Sequence, residues 1–412
     1  MSSLELINKK ILVIENKVIN YINKNKVYFL GAIVTFLAII LRVYFISFKS
    51  EDYVLFLEKW FNELKAFGGL NGIKKYIGDY NAPYVTILAL LTYLPFSPLV
   101  SIKIVSIIFD FFTAIIVSLF VKNVFKDNKN CGIYVFLTYT IILFLPTILL
   151  NGALWAQCDI IYTAFIILSL VFLIKEKYLK AFIFFGISFA FKLQSIFVLP
   201  LYVLIYINKR KFPLYYFGII PITNLILCIP SFLFGKSLKS CIEVYINQTN
   251  SYTDFLSLNI PNFYNLICST SSNNSVYKII DFPADKLGII IVFLIFVLSA
   301  YIVLSKNVDF DTELIIKTAL WSTMVCVFFL PHMHDRYLFM ADVLSVIYFI
   351  IVRKKIYIPI VINFISLSTY VKYLFNVTLF SYQVIALAFC IVVIYLTYII
   401  FKDFLKENNI YK

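Results

Sequence analysis

The two histidines of this 412-residue chain fall in one short run, Pro331-His332-Met333-His334-Asp335-Arg336, between two apolar stretches. Two imidazoles, a carboxylate and a guanidinium at neighbouring positions suit two kinds of chemistry. A His-x-His pair beside an acid can hold a divalent cation. A guanidinium fork flanked by imidazoles can hold phosphate oxygens. Arg336 favours the second, because a fixed positive charge beside the histidines opposes a dication. No metal and no other cofactor is expected.

Four further polar groups interrupt apolar sequence. Glu51 and Asp52 follow the first hydrophobic run, and Asp79-Tyr80 precedes Pro83. Gln157 and Asp159 lie in Trp155-Ala-Gln-Cys-Asp, and Lys192 and Gln194 in Phe191-Lys-Leu-Gln-Ser. Any one of these is commonly an interfacial anchor. Together they describe a polar cavity with acids on one side and cations on the other. Such a cavity suits a lipid-phosphate substrate. A departing lipid phosphate is already a stable anion, so it needs a preorganised positive field more than a strong acid. Arg336, His334, His332 and Lys192 are the candidates to hold it. The attacking hydroxyl is a weak nucleophile and needs a carboxylate base, for which Asp52 is the candidate. Glu51, Asp79, Tyr80, Gln157, Asp159, Gln194 and Asp335 are assigned to the sugar or the acceptor.

The elements that must carry these residues are membrane helices. The chain is 62% hydrophobic with a mean hydropathy of +0.91, well beyond a soluble domain. Apolar runs of about 18 residues or more recur, each long enough to cross a bilayer as a helix. The fold class is therefore an all-α polytopic membrane protein. Expected spans are 27–48, 98–121, 131–150, 159–174, 181–192, 195–207, 213–234, 287–305, 313–331, 338–352, 356–372 and 383–401, about 12 transmembrane segments in all. The net charge of +14 belongs to Lys- and Arg-rich cytoplasmic loops, so no nucleic-acid partner is expected.

Charge also sets the topology. If 83–96 lies at the outer interface without crossing, the basic loops around Lys122, Lys175, Arg210 and Arg353 fall inside, together with both termini. The outer face then carries 49–97, 151–159, the long loop 235–286 and the histidine run. Within 181–206, Lys192 and Gln194 form the tip of a membrane-embedded hairpin, where polar groups need protein or water around them. Residues 1–26 read as a cytoplasmic amphipathic helix, with Leu4, Ile7, Ile11, Ile14, Val18 and Ile22 on one face. Residues 27–401 form the transmembrane domain, and 402–412 a cytoplasmic tail. In 49–97 an apolar stripe at Val54, Leu57, Trp60, Phe61 and Leu64 predicts interfacial helices that stop at Gly68-Gly69. The seven cysteines show no CxxC spacing and read mainly as small buried hydrophobes. Cys241 and Cys268 share the long outer loop and could pair.

Asp52-Tyr53 after the first span, Asp79-Tyr80 with Pro83, and the ordered run His332 to Arg336 resemble the GT-C superfamily of polyprenyl-phosphate-sugar-dependent glycosyltransferases. The similarity is greatest to bacterial mannosyltransferase-like relatives of the GPI-anchor mannosyltransferases. It is more distant to the endoplasmic-reticulum glucosyltransferases that use dolichyl-phosphate-glucose. It covers roughly residues 27 to 350 and includes the WAQCD and FKLQ stretches. The resemblance implies a GT-C-like bundle, a polyprenyl-phosphate-sugar donor and a glycan or glycolipid acceptor at the outer face of the cell membrane. It implies that Asp52 is the base and that His334 and Arg336 contact the donor phosphate. Two departures stand out. The glucosyltransferases carry Glu-Lys where this chain has Asp335-Arg336, and histidines where it has Gln157-Cys158-Asp159. Transport or polymerisation of lipid-linked glycans is the alternative function, but no inverted repeat of the transporter kind is visible.

Overall fold

The computed structural model describes residues 3–76, 78–250, 253–268 and 277–406. It is 77% helical. Seven helices are long and apolar enough to cross a membrane, or eight if one bent pair counts as a single span. The chain is a multi-pass helical membrane protein.

Helix α1 (Ser3–Lys24) leads into α2 (Lys26–Phe45). Ile11, Ile14, Val18 and Ile22 on α1 are all exposed, so that stripe has no protein cover and suits a lipid surface. The side chains of Leu4 and Ile7 lie outside the described residues. After α2 come a π-helical turn (Tyr53–Leu57), α3 (Glu58–Ala66), a 3₁₀ segment (Gly69–Lys75) and α4 (Ala82–Leu91). Then follow α5 (Pro98–Val124), α6 (Cys131–Phe144), α7 (Pro146–Leu149), a second π-turn (Leu150–Leu154) and α8 (Asp159–Ile174). The hairpin is α9 (Tyr178–Phe191) and α10 (Leu199–Lys209), and α11 (Ile219–Leu227) and α12 (Ile229–Leu233) form the next span. The long loop 235–286 contains α13 (Leu238–Asn250) and α14 (Phe263–Ile267). The chain closes with α15 (Ala284–Lys306), α16 (Thr312–Phe329), α17 (Phe339–Val352), α18 (Tyr357–Phe375) and α19 (Tyr382–Phe404). Of the expected tail, residues 407–412 lie outside the described residues.

Every expected span corresponds to helix, but α8, α9, α10 and α17 are short apolar helices. For two of them the surroundings account for the shortness. Almost all of α8 and α17 is buried among other helices, and a helix sheathed in protein need not match the thickness of the hydrocarbon. Helix α4 is likewise short for a span, and it buries Ala82, Tyr84, Val85, Leu88 and Ala89 against protein while Leu90 stays exposed.

The stripe in the first outer segment is also shifted. Tyr53, Leu57, Phe61 and Leu64 are buried, whereas Val54 is 45% exposed. The π-turn over Tyr53–Leu57 adds a residue to one turn, which moves the inward position from 54 to 53. The helix ends at Gly68, whose φ of 85° is the left-handed conformation that glycine takes without strain.

Two buried cations set the frame. Arg42 donates from Nε to Asp110 Oδ2 at 2.9 Å and from its other nitrogens to the Ala38 and Leu143 carbonyls. This ties α2 to α5 and α6. Lys103 on α5 donates to the carbonyls of Phe45, Ile46 and Phe48 at 3.0, 3.2 and 2.6 Å. It thereby satisfies carbonyls that the end of α2 leaves without helical partners. That anchor fixes the chain just before Glu51-Asp52.

Candidate active site

A cavity of about 610 Å³ opens among the segment after α2, the turn before α8, the histidine run and the tip of the α9–α10 hairpin. Asp52, Asp79, Tyr80, Gln157, Lys192, Gln194, His332, His334 and Arg336 all line it. Segments hundreds of residues apart thus converge, as a shared cavity requires. Asp159 and Asp335 are buried behind the lining at 1% and 0% exposure. Glu51 is exposed and stands outside the lining. Its neighbour Asp52 takes the inward position because Lys103 and Ser50 fix the turn. Ser50 donates from Oγ to the Trp155 carbonyl and accepts from the Tyr53 amide.

Asp52 is held by three donors. Trp155 Nε1 and Gln157 Nε2 both donate to Oδ2 at 2.8 Å, and the Tyr373 hydroxyl donates to Oδ1 at 2.5 Å. Trp155 and Gln157 come from a distorted connection. Helix α6 bends by 46° into α7 and the π-turn that follows, and Ala156 then has φ of 66°. A non-glycine residue there is strained and needs surrounding structure to hold it. Ser106 supplies part of that hold by donating to the Gln157 carbonyl at 2.6 Å. Gly152 lets α5 come close, since a Cβ there would sit 3.1 Å from Ser106 Cβ.

Arg336 sits within the acids, which corrects the expected separation of charges. Its nitrogens lie 3.9 Å from Asp52 Oδ2, 3.7 Å from Asp159 Oδ2 and 3.7 Å from Asp335 Oδ1. It donates to Gln157 Oε1 and covers the Trp155 ring at 5.3 Å, a cation–π contact. Gln157 therefore bridges the guanidinium and the candidate base through its two amide ends. Lys192 pairs with Asp159 Oδ1, and Asn151 Nδ2 donates to Asp159 Oδ2 at 2.8 Å. The reason for the mixing is physical: several buried like charges in one place are costly unless counter-charges stand between them.

The two histidines are oriented differently. His334 Nδ1 is 2.8 Å from Asp335 Oδ1, so Asp335 steers the imidazole. His332 Nδ1 donates to the Phe255 carbonyl at 2.6 Å, and its backbone amide to the Leu256 carbonyl. Ser257–Leu258 also pair in parallel with Met333–His334. The long outer loop is thus clasped to the histidine run, and His332, with φ of 62°, belongs to that clasp.

Asp79 occupies the opposite wall. It is open to the cavity, yet the protein crowded around it pushes its carboxyl above the ordinary value, while Arg336 and Lys192 pull it down. Gln248 on α13 donates to the Asp79 carbonyl and to Asn81 Oδ1. Tyr80 packs edge-on to Trp60 and Tyr84 at 5.6 and 4.7 Å. The rest of the lining, including Phe191, Ile196, Phe197, Ile289 and Leu330, is apolar.

Sequence reasoning missed Trp155, Tyr373, Asn151, Tyr370 and Gln248. Trp155 lay inside the WAQCD motif but looked like core. Tyr370 and Tyr373 are three apart on α18, hence on one helix face, and that was their only signal. Tyr373 stacks on Trp155 at 4.5 Å and 16°, and Tyr370 meets it edge-on at 5.0 Å. No family model and no curated protein matches this sequence.

Proposed function

We propose that this protein is an inverting membrane glycosyltransferase of the GT-C kind, moving a hexose from a polyprenyl-phosphate sugar to a glycan or glycolipid acceptor. The bundle would be the GT-C arrangement of about 12 segments, with both termini cytoplasmic and the cavity extracytoplasmic. The carrying observation is Asp52: a carboxylate on the cavity wall, gripped by three donors, with a guanidinium 3.9 Å away. A base and an anion-binding group stand side by side in a partly apolar cavity.

The donor's phosphate engages Arg336, with His334 and Lys192 adding donors, and its chain runs over the apolar lining. Asp52 Oδ2 is saturated by Trp155 and Gln157, so the acceptor hydroxyl engages Oδ1 at the Tyr373 side. Asp52 takes the hydroxyl proton as the acceptor oxygen bonds to the anomeric carbon. The bond from that carbon to the phosphate oxygen breaks on the opposite face, and the lipid phosphate leaves with the electron pair. Arg336 stabilises that growing charge, which is where a preorganised cation contributes most.

Reconstitution with a labelled polyprenyl-phosphate hexose and membrane lipids tests this reading. Labelled glycoconjugate is expected from the wild type, and Asp52→Asn should lower the rate by about 10² to 10⁴-fold, the scale of a lost general base. Undiminished transfer by a folded Asp52→Asn protein would remove Asp52 from the base role.

A further inference from the structure

The cysteines do not pair as the sequence suggested. Cys268 packs with Leu256, Tyr264 and Ala284. Cys241 on α13 instead lies against Cys228, at the junction of α11 and α12, in a small buried cluster with Ala82 and Phe232. The two residues are 2% and 5% exposed, and both are free cysteines. The Cys228 thiol also approaches Asn224 Oδ1 at 3.9 Å, the same oxygen that accepts the Tyr245 hydroxyl.

This cluster sits where α13 is fastened to the body. Tyr245 stacks on Phe189 at 5.1 Å and donates towards the Phe189 and Ala190 carbonyls. One turn further along, Gln248 reaches the Asp79 loop and lines the cavity. Whatever fixes Cys241 therefore fixes the helix that forms one wall of the cavity.

We infer that Cys228 and Cys241 are a dithiol–disulfide site whose oxidation locks α13 against the cavity wall. The inference rests on the extracytoplasmic placement of this face in the reading above, because oxidising compartments are where such bonds persist. Both side chains belong to one small buried cluster, so a bond of about 2.05 Å joins two segments that already pack together. The chemistry balances with an oxidant of the thiol–disulfide exchange class. The Cys241 thiolate attacks one sulfur of the oxidant's disulfide and expels the other as a thiolate. Cys228 then attacks Cys241 Sγ in the mixed disulfide and releases the oxidant as a dithiol. Two electrons and two protons leave this chain.

The order of attack follows from the surroundings. The neighbouring Cys228 thiol and the Lys236 ammonium draw the Cys241 thiol down against the opposing effect of burial. Cys241 is thus the better first nucleophile at neutral pH.

The test counts thiols in full-length protein purified aerobically from membranes. The denatured protein is alkylated with and without prior reduction and then mapped by mass spectrometry. The expected result is that two of the seven cysteines react only after reduction, and that the peptides of Cys228 and Cys241 are joined. Cys268→Ser should leave the joined peptides in place, and Cys241→Ser should free Cys228 for alkylation. Reductant should lower the thermal midpoint of the wild type and leave that of Cys241→Ser unmoved. Alkylation of all seven without reduction, or a bridge to Cys268, overturns the proposal. A cell-impermeant maleimide on the exposed variant Lys65→Cys reports the sidedness separately. If it labels while the pair stays reduced, the disulfide proposal fails and the topology stands.

Discussion

Arg42 and Arg336 are both guanidiniums among carboxylates, and the difference between them separates scaffold from site. Arg42 and Asp110 are 1% and 0% exposed, and the other guanidinium nitrogens go to backbone carbonyls. One acid balances one base, and there is no room for a ligand. Arg336 is 16% exposed on a cavity and stands within 3.9 Å of three carboxylates, only one of which lines the same cavity. Its Nε is buried and makes no hydrogen bond among the described residues. A closed pair fixes helices, whereas a cluster that opens on a cavity can meet a ligand there.

The comparison can be broken by substitution. Between the two arginines the larger catalytic effect is expected at Arg336→Ala, a loss of about 10² to 10³-fold in transfer, as for other removed anion-stabilising donors. Its folded yield should fall less than that of an Arg42 variant, since Asp52 and Asp159 keep Trp155, Gln157, Tyr373, Lys192 and Asn151, and Asp335 keeps His334. A donor-binding assay alongside the rate measurement checks this; unchanged donor affinity would remove Arg336 from the phosphate role. Arg42→Met should do the reverse. It strands Asp110 in a buried site and costs about 3 to 5 kcal/mol of stability, while the folded fraction keeps its specific activity. Pairing it with Asp110→Leu should restore much of the loss, measured as thermal midpoint in detergent. Loss of activity without loss of stability in Arg42→Met would invert the distinction drawn above.

Smaller effects sharpen the picture within the site. Tyr373→Phe removes one of three donors to Asp52, and a reduction of about tenfold in turnover is expected, on the scale of one charge-assisted hydrogen bond. Acceptor concentration dependence should show the loss in kcat more than in KM. The smallest effect concerns Asp79. Its carboxyl is raised, so the folded protein holds the proton at pH values where a free carboxyl of about 3.9 has lost it. The folded state therefore gains as pH falls through that window, and this contribution is lost as pH rises through the raised value. Asp79→Asn should flatten the dependence of the thermal midpoint on pH above about 3.9, where an ordinary carboxyl has begun to ionise.

Much of the site was visible in the sequence because polar residues are conspicuous in apolar surroundings. Asp52, Gln157, Lys192 and the histidine run stood out for that reason, and all of them reach one cavity. Glu51 stood out equally and does not, because adjacent residues on a turn point to different sides. Trp155 and Tyr373 were inconspicuous because aromatic residues are ordinary in a membrane helix. Only the distance between α18 and Asp52 gives Tyr373 its role.

Composition and periodicity by themselves determined that this is a multi-pass helical protein, where its helices lie and which polar residues need partners. Those properties follow from local free energies: the transfer of side chains into hydrocarbon and the satisfaction of backbone groups within each helix. The tertiary structure decided the rest. It set the π-turn that moves an apolar face by one residue, and the bend that aims Trp155 and Gln157 at Asp52. It interleaved the cations with the acids, and it brought Cys241 to Cys228. Each of these depends on the electrostatics and packing of segments far apart in the chain, and such couplings leave no mark on local sequence.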